Sequence, residues 1–185
     1  MGNPMQTEQQ LIESAQAGDD YAFEQIYEEY FDRIYSYTAA RVGNRFDAED
    51  LTEEVFLRAL QSIGSFKWQG ISIGAWLFRI AHNVTVDHLR KMSKRQTMPI
   101  EESVSGKGPS PEERAVTNMA VERVKQALGR LTQAQQQVLS LRLASGVSVA
   151  ETAKIMGKSE GAVKASQHSA LAAIRRMFAA EHGEY

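Results

Sequence analysis

The chain has 185 residues, a net charge of −2 and no cysteine. That length accommodates one ordinary domain or two small ones, and the missing cysteines exclude disulfides and thiolate metal sites. No run of eighteen apolar residues occurs, and MGNPMQTEQQ at the start lacks the basic and apolar parts of a signal peptide, so neither membrane insertion nor export is expected and a cytoplasmic location is.

Helical signals dominate from the start. Thr7 and Gln10 are a candidate capping box ahead of Leu11 and Ile12. Gly18-Asp19-Asp20 reads as a stop followed by a new N-cap. Phe23, Ile26, Tyr27, Tyr30, Phe31, Ile34 and Tyr37 then recur at three- and four-residue spacing, which predicts a long helix with an aromatic core face. Gly43-Asn44 ends it. Asp47 is the candidate cap of the next helix, with Leu51, Val55, Leu60 and Ile63 as its apolar stripe. Gly64, Gly70 and Gly74 bracket a predicted loop over 65–72, and a helix is expected from about Ile73 to Lys91. From Met92 to Glu113 the hydrophobic period disappears and Pro, Gly and Ser accumulate, the composition of a linker. Helices are expected to resume near Arg114, break at Gly129, restart after a Thr132 cap and break again at Ser145-Gly146. The predicted fold is all-α: two small helical domains, 1–92 and 114–185, joined by a flexible linker over 93–113.

Charge follows these divisions. The net is −9 over 1–64, +5 over 65–95, −3 over 96–122 and +5 over 123–185, which suggests two basic surfaces and an acidic one.

The second basic block contains the sharpest motif. Ser148 and Glu151 form a capping box that opens a short helix from Val149 to Met156. Gly157 ends it, and Ser159 caps a second helix running to about Phe178. Ala153 and Val163 fall where the two helices cross. This pattern predicts a helix-turn-helix, a unit that places its second helix in the major groove of DNA. A plain helical hairpin with a glycine turn is the bland alternative. Val163, Ala170, Leu171, Ile174 and Phe178 form the expected buried stripe. Lys164, Ala165 and His168, with Ser159 ahead of them, lie on the face expected to read bases, and Arg175 and Arg176 suit phosphates.

The first basic block pairs aromatics with cations. Lys67 and Trp68 lie in the predicted loop, and Arg79, Asn83, Asp87 and Arg90 follow along one helix. Aromatic rings that stack bases beside cations that track phosphates are the requirements for binding single-stranded DNA. Trp76 is better explained as core. His82 and His88 are six apart and share no metal-binding spacing, and no phosphate loop or nucleophile motif is present. No enzyme, cofactor, metal site or small-molecule substrate is therefore expected.

Three stretches together resemble the extracytoplasmic-function group of bacterial sigma factors: Asp47 to Ala59 (DAEDLTEEVFLRA), Ala75 to Arg90 around AWLFRIAHN, and Ser159 to Lys164 (SEGAVK). The resemblance implies that Asp47, Asp50, Leu51, Glu54 and Phe56 contact the coiled coil of the polymerase largest subunit. It implies that Lys67, Trp68, Arg79, Asn83, Asp87 and Arg90 read and melt the −10 element, with a flipped base held near Asn83. The second domain would read the −35 element. Core RNA polymerase, promoter DNA and an anti-sigma factor are the implied partners. Family members often carry arginines where Ser166 and Ser169 stand here, so phosphate anchoring is expected to be weaker. A stand-alone dimeric helix-turn-helix regulator is the competing reading, and a purely structural helical protein the third.

Overall fold

The computed structural model describes residues 8–67, 72–95, 123–124 and 126–182, and all regular structure among them is helical. The candidate cap at Thr7, Trp68 in the predicted loop, and the linker and restart near Arg114 lie outside these residues.

Four helices build the first domain: α1 (Glu8–Gln16), α2 (Asp20–Val42), α3 (Arg45–Ser62) and α4 (Ile73–Arg95). Asp19 caps α2, its carboxylate accepting from the amides of Tyr21 and Ala22, and Gly43 closes it in the left-handed region at φ 76°. That conformation suits a residue without a Cβ. Asn44, not Asp47, caps α3, and Asp47 occupies its first turn. Both residues are good caps, but only Asn44 has the extended backbone a cap requires (φ −132°, ψ 150°). A short 3₁₀ turn, Ile63–Ser65, follows α3.

The core of this domain is Ile26, Ile34, Tyr37, Val55, Leu77 and Phe78, all nearly inaccessible. Gly74 belongs to the first turn of α4, which begins at Ile73 as expected. Its role is close approach: a Cβ built there would lie 2.6 Å from Tyr30 Cε1. Tyr30 is itself buried beneath the Arg33 guanidinium, 5.4 Å from its ring centre, so the ring has little room to move. Gly74→Ala is therefore expected to destabilise the protein by about 1–3 kcal/mol through overpacking, despite alanine's better helix propensity. Gly64→Ala, where nothing lies within 4 Å, is expected to be neutral. Urea unfolding midpoints of the two variants check the contrast.

The second domain contains α5 (Gln133–Leu139), a π turn at Ser140–Ala144, α6 (Val149–Met156) and α7 (Glu160–His182). Thr132 and Ser148 each form a complete capping box, with Gln135 and Glu151 respectively. Gly157 ends α6 at φ 61°, and Ser159 Oγ accepts from the Ala162 amide at 3.2 Å. Val138, Ala153 and Val163 pack together at the crossing of α5, α6 and α7. Leu131, Leu139 and Ala170 form a second cluster, with Leu171 and Ile174 against it.

The two domains are packed on each other. Leu141, Val147 and Ile155 are buried in the same apolar cluster as Ile34, Tyr37 and Phe78 of the first domain. Arg33 Nε donates to the Ser145 carbonyl at 3.3 Å, and Arg41 Nη1 donates to Gln136 Oε1 at 2.9 Å. The π turn presents Leu141 to this surface. Its extra residue is visible in the bond from the Ser145 amide to the Ser140 carbonyl (3.1 Å), one residue longer than an α-helical step.

Candidate nucleic-acid interface

Along α4, Arg79, Asn83, Asp87 and Arg90 are all at least partly exposed. Their spacing of four, four and three places them on one face. The opposite face holds Leu77, Phe78, Ala81 and Val84 in the core. Asp87 and Arg90 approach only to 3.8 Å, a surface pair that contributes little and yields readily to a phosphate. Lys67 is exposed where the chain leaves the 3₁₀ turn. Its neighbour Phe66 is buried instead, its ring 5.1 Å from that of Trp76, so both aromatics serve packing.

His82 faces the other way from Asn83. Its Nδ1 lies 3.3 Å from the hydroxyl of Tyr37, which burial pushes up to about 12 and so keeps protonated. Burial, reinforced by Arg41 and Arg90, holds the His82 imidazole below its usual value of 6.5. The folded state therefore prefers neutral His82. The unfolded chain takes up the proton first as pH falls, so this stability is present above about pH 6.5 and declines below it. His82→Gln is expected to flatten the pH dependence of stability below 6.5, as thermal melts between pH 7.5 and 5 would show.

On α7, Lys164, Ala165 and His168 are exposed, as are Ser159 before the helix and Arg175 and Arg176 further along it. Val163 and Ala170 are fully buried on the reverse side. Polar contacts join the buried Val138, Ala153 and Val163 cluster in tying α7 to its neighbours. Arg142, in the π turn, donates to Gln167 Oε1 at 3.3 Å and also to the Val147 carbonyl. Gln135 Nε2 reaches Ser169 Oγ at 3.1 Å. Ser169, where a phosphate-binding arginine is common, is thus part of the packing between α5 and α7.

On the acidic helix α3 the exposed positions differ from those expected. Asp50 is exposed and Asp47 and Glu54 are half-buried, but Leu51 and Phe56 are each only 4% exposed. They lie on the inward stripe of the helix and support its outer face from beneath. Leu57 and Leu60 take the outer positions, at 59% and 49% exposure. With Phe23, Tyr27, Glu53 and Phe56 they line a shallow groove of about 290 Å³. Of the expected stripe, Leu51, Val55 and Ile63 are buried, and Leu60 alone faces outward. Asp47 accepts from Asn44 and lies 3.3 Å from His88 Nε2 on α4, and Glu54 pairs with Arg58 at 2.5 Å.

Among the described residues no group of three His, Cys, Asp or Glu is placed to hold a metal, and no helix is long and apolar enough to cross a membrane.

Comparison with known proteins places this geometry. Residues 26–95 match the family described as Sigma-70 region 2, and residues 127–176 match Sigma-70, region 4. The ECF RNA polymerase sigma factor SigX of Bacillus subtilis is 31% identical over 160 residues, covering 83% of this chain and 82% of SigX. The chain belongs to the extracytoplasmic-function group of RNA polymerase sigma factors. The ECF sigma factor BldN of Streptomyces coelicolor is 41% identical over 170 residues; that match takes in 91% of this sigma factor and 64% of BldN. The structure of CnrH in complex with the cytosolic domain of CnrY shares the fold, with a TM-score of 0.71 at 22% identity over 92% of this chain and 96% of that one. In this sigma factor the exposed face of α4 lies within the region 2 match, and the exposed face of α7 within the region 4 match.

Proposed function

We propose that this sigma factor binds core RNA polymerase and directs it to promoters through two separate contacts. The observation that carries the reading is the pairing, in one chain, of two exposed cationic helix faces on different domains. The face of α7 suits duplex DNA, with Lys164 and His168 toward base edges, Ser159 and Ala165 close to the backbone, and Arg175 and Arg176 on phosphates. The face of α4, with Arg79, Asn83, Asp87 and Arg90, suits a melted strand entering from the side of Lys67, and Trp68 is proposed to stack a base of that strand. Asp47, Asp50 and Glu54 on α3 present acidic side chains to polymerase, and the adjoining Leu57 and Leu60 supply apolar contact. Leu51 and Phe56 hold that helix in shape. The domain division proposed is 1–92, 93–113 and 114–185, with α4 extending the first unit by a few residues.

On this reading the protein has no catalytic activity of its own, acts in the cytoplasm and requires no cofactor. An anti-sigma factor restrains it; CnrH, which shares the fold, was solved with the cytosolic domain of CnrY bound. Run-off transcription with core polymerase on a randomised promoter pool tests the proposal. The expected result is selection of two short elements at fixed spacing. A stable homodimer that binds a palindrome without polymerase would support the competing regulator instead.

A further inference from the structure

Helix α1 lies outside the stretch matched by Sigma-70 region 2, which begins at residue 26. Its apolar side, Leu11, Ile12 and Ala15, is buried in the first-domain core. That stripe accounts for why α1 is docked. It does not account for the two polar side chains at its ends.

Gln16, at the C-terminal end, directs its side-chain amide to two backbone carbonyls, one in the 3₁₀ turn and one just past it. Nε2 donates to Ile63 O at 2.9 Å and to Phe66 O at 2.7 Å. Glu8, at the N-terminal end, accepts from the Ile73 amide at 2.9 Å. That amide is one of the unpaired donors at the start of α4, where a carboxylate is favoured by the helix dipole. Ser72 Oγ accepts from the Ala75 amide at 3.2 Å in the same turn. One nine-residue helix therefore fixes the chain at Phe66, immediately before exposed Lys67, and again at Ile73, where α4 begins.

We infer that α1 is a positioning clamp: Gln16 and Glu8 set Lys67 relative to Arg79 and Asn83, and so set the geometry in which an unstacked promoter base is captured. This rests on the reading of α4 as the surface for the melted strand. Neither side chain touches DNA. Both act through backbone groups of the segments that do, and a looseness of roughly 1 Å at such a site is enough to impair recognition.

The test uses full-length Gln16→Glu, Glu8→Ala and Glu8→Gln in holoenzyme, on a promoter selected from a random pool by the wild type. Gln16→Glu turns the donor into an acceptor facing two carbonyls. Glu8→Gln keeps an oxygen that still accepts from Ile73. Permanganate reactivity of −10 thymines reports melting, and run-off from −10 single-base variants reports discrimination. Gln16→Glu and Glu8→Ala are expected to lower both by about tenfold, while Glu8→Gln stays within about twofold and affinity for core is unchanged. Asn83→Ala and Lys67→Ala run alongside. If these two lose melting and the α1 variants do not, the clamp is refuted and the reading of α4 stands. If none of the variants changes melting or discrimination, the reading fails and the clamp with it. A parallel loss of core affinity in Gln16→Glu and Glu8→Ala would mark a general folding role and also overturn the clamp.

Discussion

A variant carrying both Leu141→Asp and Ile155→Asp is expected to come apart into two domains without unfolding either. Both positions lie in the apolar cluster that runs from the first domain into the second, at 0% and 8% exposure. Each loses about 1.5–3 kcal/mol of apolar burial, and each new carboxylate would be buried among apolar side chains, which costs several kcal/mol more. The hydrogen bonds from Arg33 and Arg41 that cross the interface among the described residues oppose that only weakly. The second domain keeps its own clusters around Val138, Ala153 and Val163 and around Leu131, Leu139 and Ala170. Small-angle scattering is the measurement. A compact chain of 185 residues has a radius of gyration of about 16 Å, and the variant is expected at roughly 20 Å or above. An unchanged radius with unchanged helicity would show that the packing of the domains does not depend on these residues.

The second large effect is expected on transcription. Lys164→Ala should lower output from a cognate promoter by about 5- to 150-fold, the range set by roughly 1–3 kcal/mol for a lost base or phosphate contact. Affinity for core polymerase should not change, because Lys164 is exposed on α7 and the contact with core is assigned to α3 in the other domain. Asn83→Ala should produce a loss of similar size with a different signature. Lys164→Ala removes a cation, so the salt dependence of promoter binding becomes shallower. Asn83→Ala leaves that slope in place and slows melting. Filter binding at several salt concentrations, paired with permanganate footprinting, separates the two. Equal losses of core affinity in both variants would count against the division of labour proposed.

Much of this was legible in the sequence because it is local. The cap at Thr132, the capping box at Ser148 and the left-handed glycine at 157 depend on residues a few positions apart, and the structure has them where the pattern predicts. The exposed faces of α4 and α7 also followed from helical period. Phase was harder than period. On α3 the stripe was right at Leu51, Val55 and Ile63 and wrong at Leu60, because apolar residues occur on more than one side of that helix, and the contact roles that the resemblance lent to Leu51 and Phe56 fell on buried positions. The N-cap at Asn44 escaped the pattern for a related reason: Asn44 and Asp47 are both competent, and only the backbone angles decide. The domain contact was illegible. Leu141, Val147 and Ile155 are ordinary apolar residues whose partners in the first domain lie far away in the chain, and nothing local distinguishes an interface from a core. The π turn was equally hidden, since its extra residue is set by how the chain must rotate to meet α2.

The reach of these contacts bears on the order in which the protein becomes complete as it is made. Glu8 must wait for Ile73, 65 residues later, and Arg33 for Ser145, 112 residues later. At about 5–20 residues per second, those delays are roughly 3–13 s and 6–22 s. The clamp on α4 thus closes well before the second domain arrives. In that interval a folded first domain leaves the ribosome with the α2 and α4 surface that will receive Leu141 and Ile155 still bare. The second domain, once synthesised, covers that surface.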